Sequence, residues 1–237
     1  VELFNRNKIP LELTYEGERF MHYIAEFEDL SNKMEKEFFE LSGKTGDYLS
    51  IGAIHYFGTY FLPQIIPIFL SQYHKIRLDI QEHDAKFIEE ALIDERVDLF
   101  LTFQTPKNRE INYCTIACDR ILLVTRKTPL LEKKYDLLNN SINNPTYINF
   151  SDLKNETFIL LHSGQGMRAI ADNVFRFHNF SPHSIIQTTT VASTLSLVIA
   201  SYGFTFFGEK ALKNVTFDTP LAYFSYDGIE SMPINIA

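Results

Sequence analysis

A segment with two glycines, His162 to Arg168, is the part of this sequence best suited to bind a ligand. It leads into a predicted helix from Met167 to Phe177. Backbone N–H groups and the positive end of a helix favour an anion there, although two glycines alone are no nucleotide fingerprint. Arg168 could make a bidentate contact to a carboxylate or phosphate; the alternative is that it pairs with Asp172, one helical turn later. The residues assigned to this anion site are Gly164, Gln165, Gly166 and Arg168.

Further polar residues at the ends of predicted strands extend the candidate site. These residues are Tyr56, Thr59, Gln104, Thr190 and Ser193. The first two lie in a predicted turn after the opening strand, where ordinary packing is the alternative. Gln104 follows the strand predicted at 97–103, and its side-chain amide can both donate and accept hydrogen bonds. The last two hydroxyls precede another predicted helix, and Ser193 is alternatively the N-cap of that helix.

The sequence lacks the patterns of a catalytic or metal site. Its seven histidines form neither an HExxH pattern nor a triad signature. Cys114 and Cys118 are four residues apart, without the second ligand pair of a zinc site. We therefore expect a binding protein rather than an enzyme, with no metal and no cofactor.

Composition limits the partners of this chain. Its 237 residues are 45% apolar, and a net charge of −8 makes it a poor DNA-binding surface on its own. No stretch approaches the roughly 20 apolar residues of a membrane span. The N-terminus, from Val1 to Arg6, does not resemble a signal peptide. We expect a cytoplasmic protein without membrane contact.

Hydrophobic periodicity predicts alternating strands and helices. Residues 48–53 and 76–80 are predicted as strands, the second from strict alternation of apolar and polar residues. Between them, apolar residues at helical spacing follow Pro63, which suits a first helical turn. The alternation predicts βαβ units and a parallel sheet. Ligands bind such sheets at the carboxyl ends of the strands. Further strands are predicted at 97–103, 120–125, 157–161, 184–188, 203–207 and 232–237.

A long helix is predicted at the start of the chain, from Thr14 to a stop at Gly43. Thr14 is its expected N-cap. Apolar residues repeat every seven positions, which is typical of a coiled coil. A surface helix packed on its own domain is the alternative. The residues assigned to dimerisation are Phe20, Ile24, Phe27, Met34, Phe38 and Leu41.

The order of these elements resembles the LysR-type transcriptional regulators. The opening residues, with Leu3-Phe4-Asn5-Arg6, resemble the end of the family's wing, and 48–100 resembles the start of its effector-binding domain. The resemblance implies an α/β fold in which an N-terminal linker helix precedes a two-subdomain domain like a periplasmic binding protein. It divides the chain into a remnant of a winged helix-turn-helix (1–13), a linker and dimerisation helix (14–43), effector subdomain I (47–118 and 231–237) and effector subdomain II (119–230).

The resemblance implies a regulator that senses a small anionic metabolite in the cleft between its subdomains. Its expected partners are that effector, a second copy in a homodimer or homotetramer, and promoter DNA bound through the missing N-terminal domain. In LysR sensors the turn after the first strand often carries hydroxyl residues, but here Ile54 and Tyr56 occupy those positions. The alternatives are a solute-binding protein, which predicts a secretory signal, and an enzyme on the same two-lobed fold.

Overall fold

The computed structural model describes residues 1–6, 8–41, 48–228 and 231–237. A short antiparallel hairpin of β1 (Phe4–Asn5) and β2 (Glu12–Leu13) precedes the long helix α1 (Tyr15–Leu41). Thr14 caps this helix, since its Oγ1 accepts a hydrogen bond from the N–H of Gly17 at 3.0 Å. This confirms the predicted start of the helix. The predicted stop at Gly43 and the predicted domain start at residue 47 lie outside the described residues.

Helix α1 carries an apolar stripe that its own chain leaves in contact with solvent. Phe27 and Leu41 are 68% and 71% exposed, and Ile24 is half-buried. The other stripe residues, Phe20, Met34 and Phe38, are also exposed. The alternative of a helix packed on its own domain therefore does not account for these residues. No described helix, including α1, is both long and apolar enough to cross a membrane.

Subdomain I begins with three strands, which form a parallel sheet, and three helices. They are β3 (Tyr48–Ala53), α2 (His55–Tyr60), α3 (Leu62–Gln72), β4 (Arg77–Glu82), α4 (Ala85–Ile93) and β5 (Leu99–Thr102). Strand β3 pairs in parallel with β4 on one side and β5 on the other. The opening strand is confirmed at both ends. The strands predicted at 76–80 and 97–103 exist, but with shifted limits.

The segment from Ile54 to Thr59 was expected to be a turn, and this expectation is wrong. It begins helix α2, in which Phe57 donates its N–H to the Ile54 carbonyl at 2.8 Å. Helical spacing places Tyr56, Phe57 and Tyr60 in the core. Gly58 indicates a turn by its residue type. In the fold it leaves room for the Glu82 side chain, which a Cβ at this position would overlap.

A single strand of 13 residues, β6 (Cys114–Arg126), belongs to both halves of the molecule. After it come α5 (Pro129–Lys134), β7 (Thr146–Tyr147), a 3-10 helix (Phe150–Leu153), β8 (Thr157–Leu161), α6 (Gly166–Phe177), β9 (Ser184–Thr188), α7 (Val191–Ile199), β10 (Thr205–Gly208), α8 (Glu209–Lys213), β11 (Leu221–Ser225) and β12 (Ser231–Ile236). The first half of β6 pairs with β12, which also pairs with β5 and completes subdomain I. Its second half pairs with β10 and β11. The predicted subdomain limit after Cys118 falls inside this strand.

Subdomain II, residues 121–226, is a sheet with helices on its faces. Strand β8 is parallel to β9 and is joined to Phe204, next to β10, by two backbone hydrogen bonds of 2.8 and 2.9 Å. Its core includes a cluster of aromatic rings, with Phe158, Phe175 and Phe206 in mutual contact. Strands β8 and β9 have the predicted limits. Helix α7 begins at Val191, two residues before the predicted start at Ser193.

Candidate functional site

A cleft of about 630 Å³ lies between the two subdomains and is lined by both. Helix α4 and Gln104 form one wall, and the segment from His162 to Gln165 forms the other, together with Thr189. A smaller cavity of about 40 Å³ adjoins it and shares four lining residues: Asp84, Ala85, Gln165 and Thr189. The carboxyl ends of β3, β4 and β8 all meet here, as expected for a ligand site of an α/β fold.

Helix α6 begins at this cleft without a side-chain cap. Its N-cap residue is Gln165, but the side-chain amide donates to the Thr189 carbonyl at 3.0 Å instead of accepting from the helix. The two neighbouring helices are capped: Asp84 accepts from Phe87 in α4, and Thr190 accepts from Ser193 in α7. The first N–H groups of α6 therefore have no side-chain acceptor, which leaves its positive end suited to an anion.

The two glycines keep the start of α6 accessible. Gly164 has a φ of 96°, in the left-handed region that glycine adopts without strain. Gly166 faces subdomain I, since a Cβ there would lie 3.9 Å from side-chain atoms of both Ile54 and Phe103. The predicted glycine segment therefore does open onto the cleft between the two halves.

Tyr56 was expected to contact the ligand through its hydroxyl, but the structure places this hydroxyl in a buried hydrogen bond. The residue is 2% exposed, although it contributes to the lining of the smaller cavity. The hydroxyl donates to Asp119 Oδ2 at 3.0 Å, and the N–H of Lys210 donates to Asp119 Oδ1 at 2.9 Å. Burial raises the pKa of Tyr56 well above its ordinary value, and the charge of Asp119 raises it further. Tyr56 thus joins the two subdomains through a buried carboxylate.

The remaining predicted polar residues are divided between the cleft and its surroundings. Gln104 lines the cleft. Thr59 is exposed on α2 but is not part of the lining of either cavity. Thr190, rather than Ser193, is the N-cap of α7, because its hydroxyl accepts from Ser193 N–H at 3.1 Å. Its neighbour Thr189 lines both cavities instead.

Arg168 does not line the cleft. Its Nε donates to Asp172 Oδ1 at 2.8 Å, and its Nη1 donates to the Leu161 carbonyl at 3.1 Å. The side chain is 13% exposed. This is the pairing that the sequence offered as the alternative to ligand contact. The guanidinium therefore fastens the start of α6 to the end of β8.

Several charged residues of the cleft were not assigned from the sequence. The cleft and the smaller cavity include His55, His83, Asp84, Lys86, Glu89, Glu90, Lys107 and His162. Glu89 Oε1 accepts from the N–H groups of Lys107 and Asn108, each at 2.8 Å, and so holds the loop that follows β5. Within the described residues, no group of three or more His, Cys, Asp or Glu side chains is arranged to hold a metal.

Comparison with protein families matches residues 42–224 to the model described as LysR substrate binding domain. The match covers well over half of the chain. The chain belongs to the LysR family. This confirms the resemblance drawn from the sequence, and the two-subdomain α/β fold expected of that family is confirmed as well.

Individual proteins similar to this LysR-family chain agree with that assignment. HTH-type transcriptional regulator CfxR of Cupriavidus necator is 26% identical over 203 residues, which are 85% of this chain and 60% of CfxR. The chain therefore spans about three-fifths of that relative's length. CfxR is named as a regulator and not as an enzyme.

Two solved structures share the fold at low identity. Full-length CbnR complexed with its target DNA has a TM-score of 0.72 and 16% identity over all of this chain and 77% of that chain. The CcmR regulatory domain of Synechocystis PCC6803, in complex with 2-PG, has a TM-score of 0.66 and 17% identity over 81% of this chain and 86% of that chain.

The position of Arg168 predicts a structural effect of its removal. Arg168→Ala should lower the free energy of unfolding by about 1–2 kcal/mol, because a largely buried guanidinium loses hydrogen bonds to a carboxylate and a carbonyl. Urea denaturation measures the change. Arg176→Ala, on an exposed position of the same helix, is the matched control. A loss no larger than that of the control contradicts the assignment.

The buried hydrogen bond between Tyr56 and Asp119 predicts that removing the hydroxyl lowers stability in a way that depends on pH. Burial raises the pKa of Asp119, and the hydrogen bonds from Lys210 and Tyr56 oppose that rise. Tyr56→Phe removes one donor, so the Asp119 pKa should rise further and stability should fall by about 1.5–3 kcal/mol at neutral pH. The loss is present while the carboxylate is ionised and shrinks as pH falls through the raised pKa.

Denaturation curves of wild type and Tyr56→Phe at several pH values test this sign. Asp119→Asn removes the charge, so adding Tyr56→Phe to that background should cost less than it does in the wild type. A cost that is the same at every pH and in both backgrounds would show that the hydroxyl stabilises the fold independently of the carboxylate.

Proposed function

We propose that this chain is the sensing part of a LysR-type transcriptional regulator, in which a small anionic effector binds between the two subdomains. The uncapped start of α6, open to the cleft, is the observation that carries the proposal. Effector binding shifts the population of subunit arrangements and so moves the DNA-binding domains of the intact, cytoplasmic protein. Promoter DNA is the partner of those domains, and the acidic chain described here binds the effector.

The anion site should be sensitive to charge at Gly166. In Gly166→Asp the new carboxylate would lie at the first turn of α6 and repel an anion, so we expect at least about a tenfold loss of affinity. Gly166→Ala should bind normally, because the added Cβ would meet its neighbours only at ordinary contact distance. Ala169→Asp adds the same charge on an exposed position of the helix and is the electrostatic control.

A thermal-shift screen of anionic metabolites, followed by calorimetry on each hit, provides the measurement. The proposal is supported when Gly166→Asp alone loses binding. It fails when no anion stabilises the wild type, or when a bound anion is indifferent to Gly166→Asp.

We further propose that α1, within the linker segment 14–43, joins two copies of the chain through its apolar stripe. The stripe repeats every seven residues, and a single copy leaves most of it exposed. A solute-binding protein has no use for such a helix, which favours the regulator. A homodimer is the smallest assembly that covers the stripe, and a homotetramer is a pair of such dimers.

Charge within the stripe should separate the copies. Phe27→Asp would place a carboxylate in the apolar contact, so the variant is expected to be monomeric at micromolar concentration, where the wild type is at least dimeric. Ala25→Asp changes the charge equally at an exposed position outside the stripe and should leave the assembly intact. Light scattering after gel filtration distinguishes these states. A monomeric wild type, or equal behaviour of both variants, excludes this interface.

A further inference from the structure

Three strands that end at the cleft, two in subdomain I and one in subdomain II, are each followed, within two residues, by a histidine. Strand β3 ends at Ala53 and leads to His55, β4 leads directly to His83, and β8 leads directly to His162. The first two histidines line the smaller cavity and the third lines the larger cleft from the opposite subdomain. The fold thus brings together three titratable rings that are far apart in the sequence.

The hydrogen bonds of His55 define what its ring presents to a ligand. Its Nδ1 lies 3.3 Å from Glu82 Oε2, and an ionised carboxylate can only accept, so Nδ1 carries a proton. The neutral ring then has a lone pair at Nε2, which repels the oxygen of an anion. Protonation converts Nε2 into a donor, and it adds a positive charge at the same time.

His83 is held in a complementary manner. Its Nδ1 accepts the N–H of Asp84 at 3.0 Å, so the neutral ring carries its proton on Nε2. The ring also stacks on Phe87, with centroids 4.0 Å apart, which fixes its orientation. Its Nδ1 also lies 3.6 Å from Asp84 Oδ2, so in the charged ring an ion pair with this carboxylate would replace the hydrogen bond from the Asp84 N–H.

The fixed charges of the cleft explain why histidine protonation matters. The charged residues that line the cleft or contact these histidines are Glu82, Asp84, Lys86, Glu89, Glu90 and Lys107. Four of these residues are acidic and two are basic. Lys86 Nζ lies 3.7 Å from Glu90 Oε1, so these two charges pair. Tyr56, also at the smaller cavity, has a raised pKa and stays neutral. The cleft is therefore net negative with neutral histidines and becomes net positive when all three are protonated.

We propose that the cleft binds a ligand with two negative charges, a dicarboxylate or a phosphate ester, together with protons taken up by His55, His83 and His162. This inference rests on the proposed function and names the ligand class of the same site. Uptake of protons supplies the positive charge that the fixed residues lack. Affinity for such a ligand should therefore rise as pH falls through the range in which histidine titrates.

Sulfate and oxalate are suitable probes, because both carry two charges throughout pH 6–8, so any pH dependence of their binding belongs to the protein. Sulfate represents a phosphate ester and oxalate represents a dicarboxylate. Calorimetry at pH 8 and pH 6 should show an affinity for at least one of them that is about tenfold higher at pH 6. Acetate, with one charge, should bind more weakly than either. Titration in buffers with different ionisation enthalpies should show net proton uptake.

The triple variant His55→Gln, His83→Gln, His162→Gln should lose the pH dependence and the proton uptake. A matched triple variant, His22→Gln, His74→Gln, His183→Gln, removes three exposed histidines outside the cleft lining and should behave as wild type. Circular dichroism checks that both variants are folded.

The possible results separate this inference from the proposed function. Equal affinity at both pH values, or a pH dependence that survives in the cleft variant, overturns the role of the histidines. Weaker binding of both dianions than of acetate overturns the ligand class. In each case a loss of anion binding in Gly166→Asp still supports the proposed function. If none of the three anions binds, the ligand class is overturned, and the proposed function is then decided by the metabolite screen alone.

Discussion

The carboxylate of Asp119 is the contact on which the geometry of the cleft depends. It lies in β6, where that strand leaves one sheet and enters the other, and it is fully buried. One of its oxygens receives the Tyr56 hydroxyl from subdomain I, and the other receives the Lys210 N–H from subdomain II. A Cβ at Gly208 would overlap both Tyr56 Oη and Asp119 Oδ2, so only glycine permits this approach. These hydrogen bonds therefore hold α2 of subdomain I in a fixed position relative to subdomain II, which carries α6.

A buried carboxylate is a costly way to join two subdomains. Burial opposes its ionisation, and two directed hydrogen bonds offset part of that cost. Directed bonds tolerate little displacement, whereas an apolar contact of the same size slides more easily. The arrangement therefore favours a defined position of the two cleft walls relative to each other near β6. The outer parts of the cleft, at α4 and the loop before α6, are lined mainly by polar residues.

Local patterns predicted the elements of this fold better than its contacts. Strands such as Thr157–Leu161 are short apolar runs rich in β-formers, and the predicted limits match the structure. Helix α2 was missed because Gly58 suggested a turn within a segment of only six residues, although Tyr56, Phe57 and Tyr60 do have helical spacing. The role of Tyr56 was missed for another reason: its partner Asp119 is 63 residues away, and no local pattern links the two. The pair of Arg168 with Asp172 was foreseeable, since residues four apart on a helix are neighbours.

In the candidate site, features set by neighbouring residues were predictable from the sequence, and features set by the arrangement of strands were not. Glycines before a helix are visible in the sequence, and they correctly indicated which loop opens onto the cleft. His55, His83 and His162 match no motif, because motifs record spacing along the chain, whereas the fold brings these residues to the cleft from both subdomains. The parallel strands β3 and β4 end at the same edge, which places His55 and His83 together, and His162 faces the cleft from the other subdomain. In such a fold, the residue types that follow the strands predict the chemistry of a binding cleft better than the spacing between those residues does.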